Sequence, residues 1–142
     1  MSDPNDIQEE VIQGFRDAGE AFEQFDHLLQ LAAEPDELSD EEKIPEVLVD
    51  GCQSQVWLYM DWLGTTGKNF RIRADSDTLM VRGVIRMFEL MFNGQDAQAI
   101  IDCPIRFVDE TELIYIFDSQ RQSGVASIAG RIRDFAQRAI TD

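Results

Sequence analysis

The sequence predicts an α+β fold in which a small antiparallel sheet packs against helices. Two changes of period along the chain support this prediction. Apolar residues recur at three- and four-residue steps in the first third and again after residue 76, which is typical of amphipathic helices. Between residues 46 and 75 they alternate with polar residues, which is typical of strands with one buried face. The length of 142 residues fits one core, so we expect a single domain over residues 1–142.

The first third is predicted to be helical, because one apolar stripe runs along an acidic segment. The members of the stripe are Ile7, Val11, Ile12, Phe15, Ala18, Phe22, Phe25, Leu28, Leu29 and Ala32. Gly14 and Gly19 each lower helix propensity by about 1 kcal/mol relative to alanine, so we expect a break near Ala18–Gly19. Residues 34–45, with two prolines and six acids, are predicted to form a solvated connector.

The middle of the chain is predicted to form a three-stranded antiparallel meander. The strands are expected near residues 46–50, 55–63 and 69–75. In the second strand, Val56, Leu58, Met60 and Trp62 alternate with Trp57, Tyr59 and Asp61. The run Gly64-Thr65-Thr66-Gly67 supplies the turn before the third strand.

The remainder returns to the helical period. We expect Ser76 or Asp77 to cap a helix that runs to Phe92 and is apolar nearly all round, as in a buried central helix. Asn93-Gly94 is expected to end it. Shorter helices are predicted near residues 95–102 and 109–118, and a last amphipathic helix over residues 123–140.

The charge balance excludes one class of partner. The formal net charge is −16, and residues 1–50 hold sixteen acids against two bases. Such a field repels phosphate backbones, so we expect no nucleic-acid partner. The start of the chain lacks a basic and apolar leader, and the longest wholly apolar run is Leu113–Phe117. We therefore expect no membrane segment and a cytoplasmic protein with reduced thiols.

Reactive side chains are scarce. His27, the one histidine, lies within an amphipathic helix, where a structural role is expected. The two cysteines are 51 residues apart and have no companion ligands, so we expect no metal site. The sequence contains neither a glycine-rich phosphate loop nor a nucleophile elbow.

Cys52 differs from Cys103 in its neighbours. Cys52 lies in the polar run Gly51–Gln55 between two strand-like segments, where glycine permits a tight turn and close approach of another molecule. The types of the neighbouring residues are compatible both with a reactive thiol and with a buried structural thiol at Cys52. If the thiol is sheltered, we expect an apolar wall from Val49, Val56 and Leu58. Cys103 has apolar neighbours and is expected to be a small buried hydrophobe.

Eight consecutive residues, Gly51-Cys52-Gln53-Ser54-Gln55-Val56-Trp57-Leu58, resemble the signature of the SufE family of cysteine desulfuration proteins. Further matches follow in the family's order: Asp75-Ser76-Asp77, Val81-Arg82-Gly83-Val84-Ile85 and Arg121-Gln122-Ser123-Gly124-Val125. The resemblance extends over about residues 7–139. Departures from the family pattern occur at Phe22, Phe25, Ala32, Ile116 and Ser119, outside the cysteine segment.

This resemblance implies a fold shared with IscU-type scaffolds and a role as a sulfur acceptor. It implies that Cys52 takes persulfide sulfur from a PLP-dependent cysteine desulfurase, either SufS-like or CsdA-like, and passes it to an iron–sulfur scaffold. It also implies that stimulation of the desulfurase accompanies this transfer. No cofactor is expected on this chain, because the PLP resides on the partner. The protein would then be a sulfur-transfer accessory protein rather than a stand-alone enzyme.

Supporting roles are expected for the neighbours of Cys52 and for three charged residues. Gly51, Gln53, Ser54 and Gln55 would form the supporting loop. Arg121 is a candidate cation near this loop or at the partner surface. Asp75 and Asp77 would tie the loop to the central helix, with helix capping as the alternative.

Three other functions remain open from the sequence. The first is a CsdE-like carrier that feeds another sulfur pathway, such as tRNA modification. The second is a one-cysteine thiol redox enzyme, which would need an external reductant or a resolving thiol. The third is an interaction module in which Cys52 is incidental and binding alone activates the partner.

Overall fold

The computed structural model describes residues 3–33 and 38–141. These residues form six helices and two strands, α1 (Pro4–Ala18), α2 (Ala21–Ala32), β1 (Val56–Trp62), β2 (Phe70–Ser76), α3 (Leu79–Phe92), α4 (Ala97–Ile101), α5 (Leu113–Ile116) and α6 (Ser119–Thr141). Two single 3-10 turns, Asp40–Glu42 and Pro45–Val47, precede β1. The predicted α+β class is confirmed. The first part of the predicted connector, residues 34–37, lies outside the described residues.

The break in the N-terminal helical third lies where it is predicted. α1 ends at Ala18 with Gly19 as its C-cap, and α2 starts at Ala21. The apolar stripe faces inward, since Ile12, Phe15 and Leu28 are fully buried. Phe22 is the exception, because its side chain is 79% exposed.

The sheet has two strands, so the prediction of three is wrong. β1 and β2 pair antiparallel from Val56↔Ser76 to Trp62↔Phe70. The first two residues of the first predicted strand, residues 46–50, instead lie in a proline-initiated 3-10 turn, and the rest makes one isolated bridge, Leu48↔Trp57. Pro45 fixes its φ angle in the range of such a turn, and the chain turns again at Asp50–Gly51. Too few extended residues remain between the two turns for a ladder.

The two faces of the sheet have different coverings. Val56, Leu58, Phe70, Ile72 and Ala74 point into the core, as the alternation predicts. The opposite face is covered by the segment before β1. There the Tyr59 hydroxyl donates to the Glu42 carbonyl at 2.7 Å, and Lys43 pairs with Asp75 at 2.8 Å.

α3 is the predicted buried helix and ends at Phe92, before Asn93-Gly94. Its start differs from the prediction, because Thr78 is the N-cap and makes no side-chain capping bond. Ser76 instead accepts from the Thr78 amide at 3.2 Å within the preceding turn. At Gly83 an added Cβ would lie 2.6 Å from the Leu28 carbonyl oxygen, so this glycine permits α2 to pack closely on α3.

α6 packs against α4, stacks its Phe135 ring on Trp62 of β1, and begins at Ser119, one turn before the predicted start. Its buried residues are Val125, Ile128, Ile132 and Ala136. The two short helices α4 and α5 lie within the predicted ranges but are shorter. Among the helices of the described residues, none combines the length and the apolar character needed to cross a membrane.

Candidate functional site: the cysteine loop

Residues 50–55, here called the cysteine loop, connect the Leu48 bridge to β1. The N-terminal end is anchored on β1, because the Val49 amide donates to the Val56 carbonyl at 2.9 Å. Arg131 of α6 donates to the Leu48 carbonyl at 3.4 Å. The chain therefore enters the loop from a fixed position.

The C-terminal end is anchored on the turn between β2 and α3. The Gln55 amide donates to Asp77 Oδ1 at 3.1 Å, and the Ser76 hydroxyl donates to the Gln55 carbonyl at 2.7 Å. The Thr78 hydroxyl donates to Ser54 Oγ at 2.7 Å. Asp77 thus ties the base of the loop to the start of the central helix.

The tip of the loop lies across α6. Gly51 has φ +86°, a left-handed conformation that side chains rarely adopt, and an added Cβ would lie 2.7 Å from Ser127 Oγ. Cys52 is half-buried, and its Sγ donates to the Gly124 carbonyl at 3.6 Å. Gly51 therefore lets the tip fold inward onto the helix.

Beside Cys52 lies a small, partly enclosed cavity of about 20 Å³, about the room that one water-sized group needs. Its lining consists of Cys52, Gln53, Ser54, Met80, Val81, Val84, Phe117, Gln120, Arg121, Gly124, Val125 and Ile128. The predicted apolar wall from Val49, Val56 and Leu58 is wrong. These three side chains are buried in the core, and α3 and α6 supply the apolar wall instead.

An open groove also reaches Cys52. It has a volume of about 390 Å³ and is bordered by Gly51, Cys52, Gln53, Ser119, Gln120 and Ser123. Its polar side chains contrast with the mainly apolar wall of the cavity. Cys52 therefore borders both a partly enclosed cavity with a mainly apolar wall and an open groove lined by polar residues.

The charged residues singled out from the sequence have different contacts around the loop. Arg121 lines the cavity together with Cys52, while its own amide donates to Asp118 Oδ1 at 2.8 Å. Asp75 is buried and pairs with Lys43 at 2.8 Å and Arg82 at 3.2 Å. Asp75 thus links the segment before the loop to the first turns of α3.

The ionisation of the thiol follows its surroundings. Burial raises the pKa of the Cys52 thiol above its ordinary value, because a thiolate in the closed loop would lose part of its hydration. At neutral pH the closed loop therefore holds the protonated thiol. A reaction that needs the thiolate requires the loop to open, or a partner to supply compensating charge.

The other cysteine and the histidine have structural surroundings. Cys103 is 1% exposed, as predicted, and burial raises the pKa of its thiol to about 11. His27 is half-buried, with its ring edge-to-face with Phe15 at 4.7 Å between centroids. Across residues 3–33 and 38–141, no three side chains of His, Cys, Asp or Glu form a group that could hold a metal ion.

Sequence reasoning missed three residues that shape the site. Gly124 and Ser127 of α6 form the surface on which the loop tip rests, and Thr78 fixes Ser54. A glycine inside an otherwise helical pattern was a usable signal for Gly124, since such a glycine often has a packing reason. Ser127 and Thr78 are far from Cys52 in sequence, and no local pattern marks them.

Comparison with known proteins agrees with this architecture. A solved structure, described as the solution structure of a hypothetical protein from Thermus thermophilus, superposes with a TM-score of 0.75 over 100% of both chains. It shares 19% sequence identity, so the likeness concerns the fold. A family model, SufE, described as an Fe-S metabolism associated domain, matches residues 9–136. The match covers nearly the whole chain, and we conclude that the protein belongs to the SufE family and has a role in Fe–S metabolism.

Proposed function

We propose that this protein is a sulfur carrier that accepts persulfide sulfur on Cys52 from a PLP-dependent cysteine desulfurase and passes it to an iron–sulfur assembly scaffold. One observation carries the proposal. The Cys52 sulfur borders a cavity with room for about one further small group, at the tip of a loop whose two ends are fixed. A carrier needs both features, because it must hold one extra sulfur and present it to two partners.

The transfer is an exchange between a thiolate and a persulfide. The Cys52 thiol first gives up its proton, and its thiolate attacks the outer sulfur of the persulfide on the desulfurase. A new S–S bond forms on Cys52, the S–S bond on the desulfurase breaks, and the desulfurase cysteine leaves as a thiolate. The step has no net oxidation. The second transfer repeats it, with Cys52 as the leaving thiolate.

The contacts of the loop suit a tip that moves and a base that does not. Backbone and hydroxyl bonds of 2.7–3.1 Å anchor the base at Val49, Ser54 and Gln55. The tip is held by the sulfur contact of 3.6 Å to the Gly124 carbonyl, which is a weak bond. On the partner we expect the tip to leave α6, so that the thiol reaches water or a compensating charge and ionises. Attack then requires the two sulfurs within about 3–3.5 Å of each other.

Two polar residues beside the thiol have supporting roles in this proposal. Arg121 borders the cavity but does not lower the pKa of the thiol in the closed loop, so its proposed role is to contact the thiolate or the desulfurase once the loop opens. Gln53 borders both the cavity and the open groove, so it lies between the cavity and the side from which the partner approaches. This chain needs no cofactor in the proposal, because C–S cleavage of cysteine is PLP chemistry and the PLP resides on the desulfurase.

Intact mass spectrometry after mixing with a cysteine desulfurase and free cysteine tests the proposal. We expect a mass increase of about 32 Da, one sulfur atom, on the peptide that contains Cys52. The Cys52→Ser variant should take up no sulfur and should lose stimulation of the desulfurase. Full stimulation by Cys52→Ser would instead indicate an interaction module.

The same protein, free or loaded with sulfur, tests the remaining alternative functions. A thiol peroxidase needs a lowered thiol pKa, whereas burial raises the pKa of Cys52, so we expect no rapid reaction with peroxide in the closed state. A CsdE-like role is separated by supplying the loaded protein with two acceptors, an iron–sulfur scaffold and a sulfur acceptor of tRNA modification. Transfer to the second alone would contradict the proposed scaffold partner.

A further inference from the structure

Gly124 of α6 lies beside the Cys52 sulfur. A methyl group added to its Cα would lie 3.7 Å from Cys52 Sγ. Beyond its own helix turn and chain neighbours, no other heavy atom of the described residues comes within 4 Å of that methyl position. The missing side chain therefore leaves open space between α6 and the sulfur, with the cysteine as its nearest neighbour.

The size of that space limits what it can hold. The cavity of about 20 Å³ accepts about one small group. The terminal sulfur of a persulfide is one heavy atom bonded about 2.05 Å from Sγ. A mixed disulfide with cysteine or glutathione adds many heavy atoms, which this cavity has no room for, so such an adduct has to leave the cavity for the open groove or for solvent.

We infer that Gly124 is a specificity-determining residue: its missing side chain keeps a one-atom space beside Cys52, so that the closed loop retains a persulfide sulfur and excludes larger thiol adducts. The inference rests on the proposed function, because it concerns the state of Cys52 between its two partners. It goes beyond that function by assigning the selection of the carried group to a residue of α6.

The Gly124→Ala substitution should disturb the persulfide form of Cys52 and leave the free thiol form unchanged. At 3.7 Å the methyl makes an ordinary van der Waals contact with the thiol, so the unloaded loop can close. A second sulfur on Cys52 competes with the methyl for the same space, so the loaded loop is overpacked and opens. Alanine is favoured over glycine inside a helix, so the variant should fold. Gly130→Ala is the matched control, since it lies in the same helix and its added Cβ has no heavy atom within 4 Å.

The persulfide is loaded chemically with polysulfide, and its lifetime in dithiothreitol is followed by intact mass. The reductant cleaves the persulfide to the Cys52 thiol and hydrogen sulfide and is itself oxidised to its cyclic disulfide. We expect Gly124→Ala to lose the sulfur at least about fivefold faster than the parent, because overpacking of this size shifts populations by that factor or more. Gly130→Ala should match the parent. Alkylation of the unloaded Cys52 should proceed at similar rates in all three proteins.

Equal persulfide lifetimes in Gly124→Ala and the parent would overturn the inference, and so would an equal acceleration in Gly130→Ala. A second readout is hydrogen exchange at residues 50–54. The parent persulfide should keep the protection of the free thiol, whereas a glutathione adduct should lose it. Equal protection in both adducts would also overturn the inference. Because the persulfide is loaded chemically, these measurements do not need the desulfurase. Failure of a desulfurase to load Cys52 would contradict the proposed function, while the persulfide lifetimes and hydrogen exchange could still be measured.

Discussion

The two cysteines of this chain occupy opposite kinds of position. Cys103 is 1% exposed and follows Asp102, whose φ of −79° is ordinary helical backbone. Cys52 is half-buried and follows Gly51, whose φ is +86°. Burial raises the pKa of both thiols. The difference therefore lies in the backbone that carries each sulfur and in the space beside it.

The surroundings of Cys103 are closed by fixed contacts. Gln8 donates to the Pro104 carbonyl at 2.7 Å and accepts from the Arg106 amide at 2.7 Å, which holds the segment after Cys103 on α1. Arg133 of α6 donates to the Cys103 carbonyl at 3.3 Å. The tip that carries Cys52 is held by the contact of 3.6 Å from its sulfur. In the proposed function, Cys52 is the thiol that can be presented to a partner, because the contact that holds its loop tip is weaker than those around Cys103.

The largest expected difference between the cysteines is in sulfur uptake. In the presence of desulfurase and cysteine, Cys103→Ala should load one sulfur as the parent does, and Cys52→Ser should load none. Peptide mapping after alkylation of the persulfide locates the sulfur. Sulfur on Cys103 alone would reverse the assignment.

Alkylation of the free protein should rank the two thiols in the same order. We expect Cys52 to react with iodoacetamide more slowly than an unstructured peptide thiol, and Cys103 more slowly again by at least about a hundredfold. The reason is that thiolate is scarce at both sites and that Cys103 needs opening of a packed region. Rates are measured by quenched mass spectrometry, with the urea-unfolded protein as the reference. A Cys52 rate equal to that of the unfolded chain would show that the loop shelters nothing.

Part of this contrast was predictable from local sequence. Gly51 after Asp50, between two apolar runs, indicates a turn, and the apolar neighbours of Cys103 indicate burial. The strand predicted at residues 46–50 does not form, because Pro45 and the turn at Asp50 leave too short an extended run. The cavity was not predictable, since its wall comes from α3 and α6, which lie about 30 and 70 residues beyond Cys52. Periodicity shows which face of a helix is buried but not which loop it meets.

A smaller effect is expected on stability at alkaline pH. The folded state keeps the proton on Cys103 up to a pKa of about 11, whereas the unfolded thiol loses it near the ordinary pKa of 9.0. The free energy of unfolding should therefore fall as the pH rises from about 9 to about 11, by on the order of 2–3 kcal/mol from this group. Urea unfolding across this range should show a flatter decline in Cys103→Ala.

Cys52→Ala serves as the comparison for this measurement. Its thiol is half-buried, so its removal should flatten the alkaline decline less than removal of Cys103. The slopes are compared, since each substitution also changes packing and hence the absolute stability. An alkaline decline that is unchanged in Cys103→Ala would show that Cys103 does not retain its proton in the folded state.

The smallest effect expected concerns the backbone before Cys52. Gly51→Ala places a side chain at φ +86° and 2.7 Å from Ser127 Oγ, so we expect the closed position of the tip to lose on the order of 1–2 kcal/mol. Alkylation of Cys52 should become several-fold faster, while that of Cys103 stays the same. Gly51→Val should do the same and should also slow sulfur acceptance, because the tip then has less backbone freedom to meet the partner, while the fold is retained.

Ser127→Ala distinguishes the two causes of this strain. Removing the hydroxyl relieves the close contact but leaves the left-handed φ, so the double variant Gly51→Ala/Ser127→Ala reports which cause dominates. We expect the double variant to recover only part of the protection, since the backbone conformation is disfavoured whatever the space. Full recovery would assign the strain to the Ser127 contact alone. Unchanged Cys52 alkylation in Gly51→Ala would contradict the closed loop itself, because a tip that never rests on α6 has nothing to lose there.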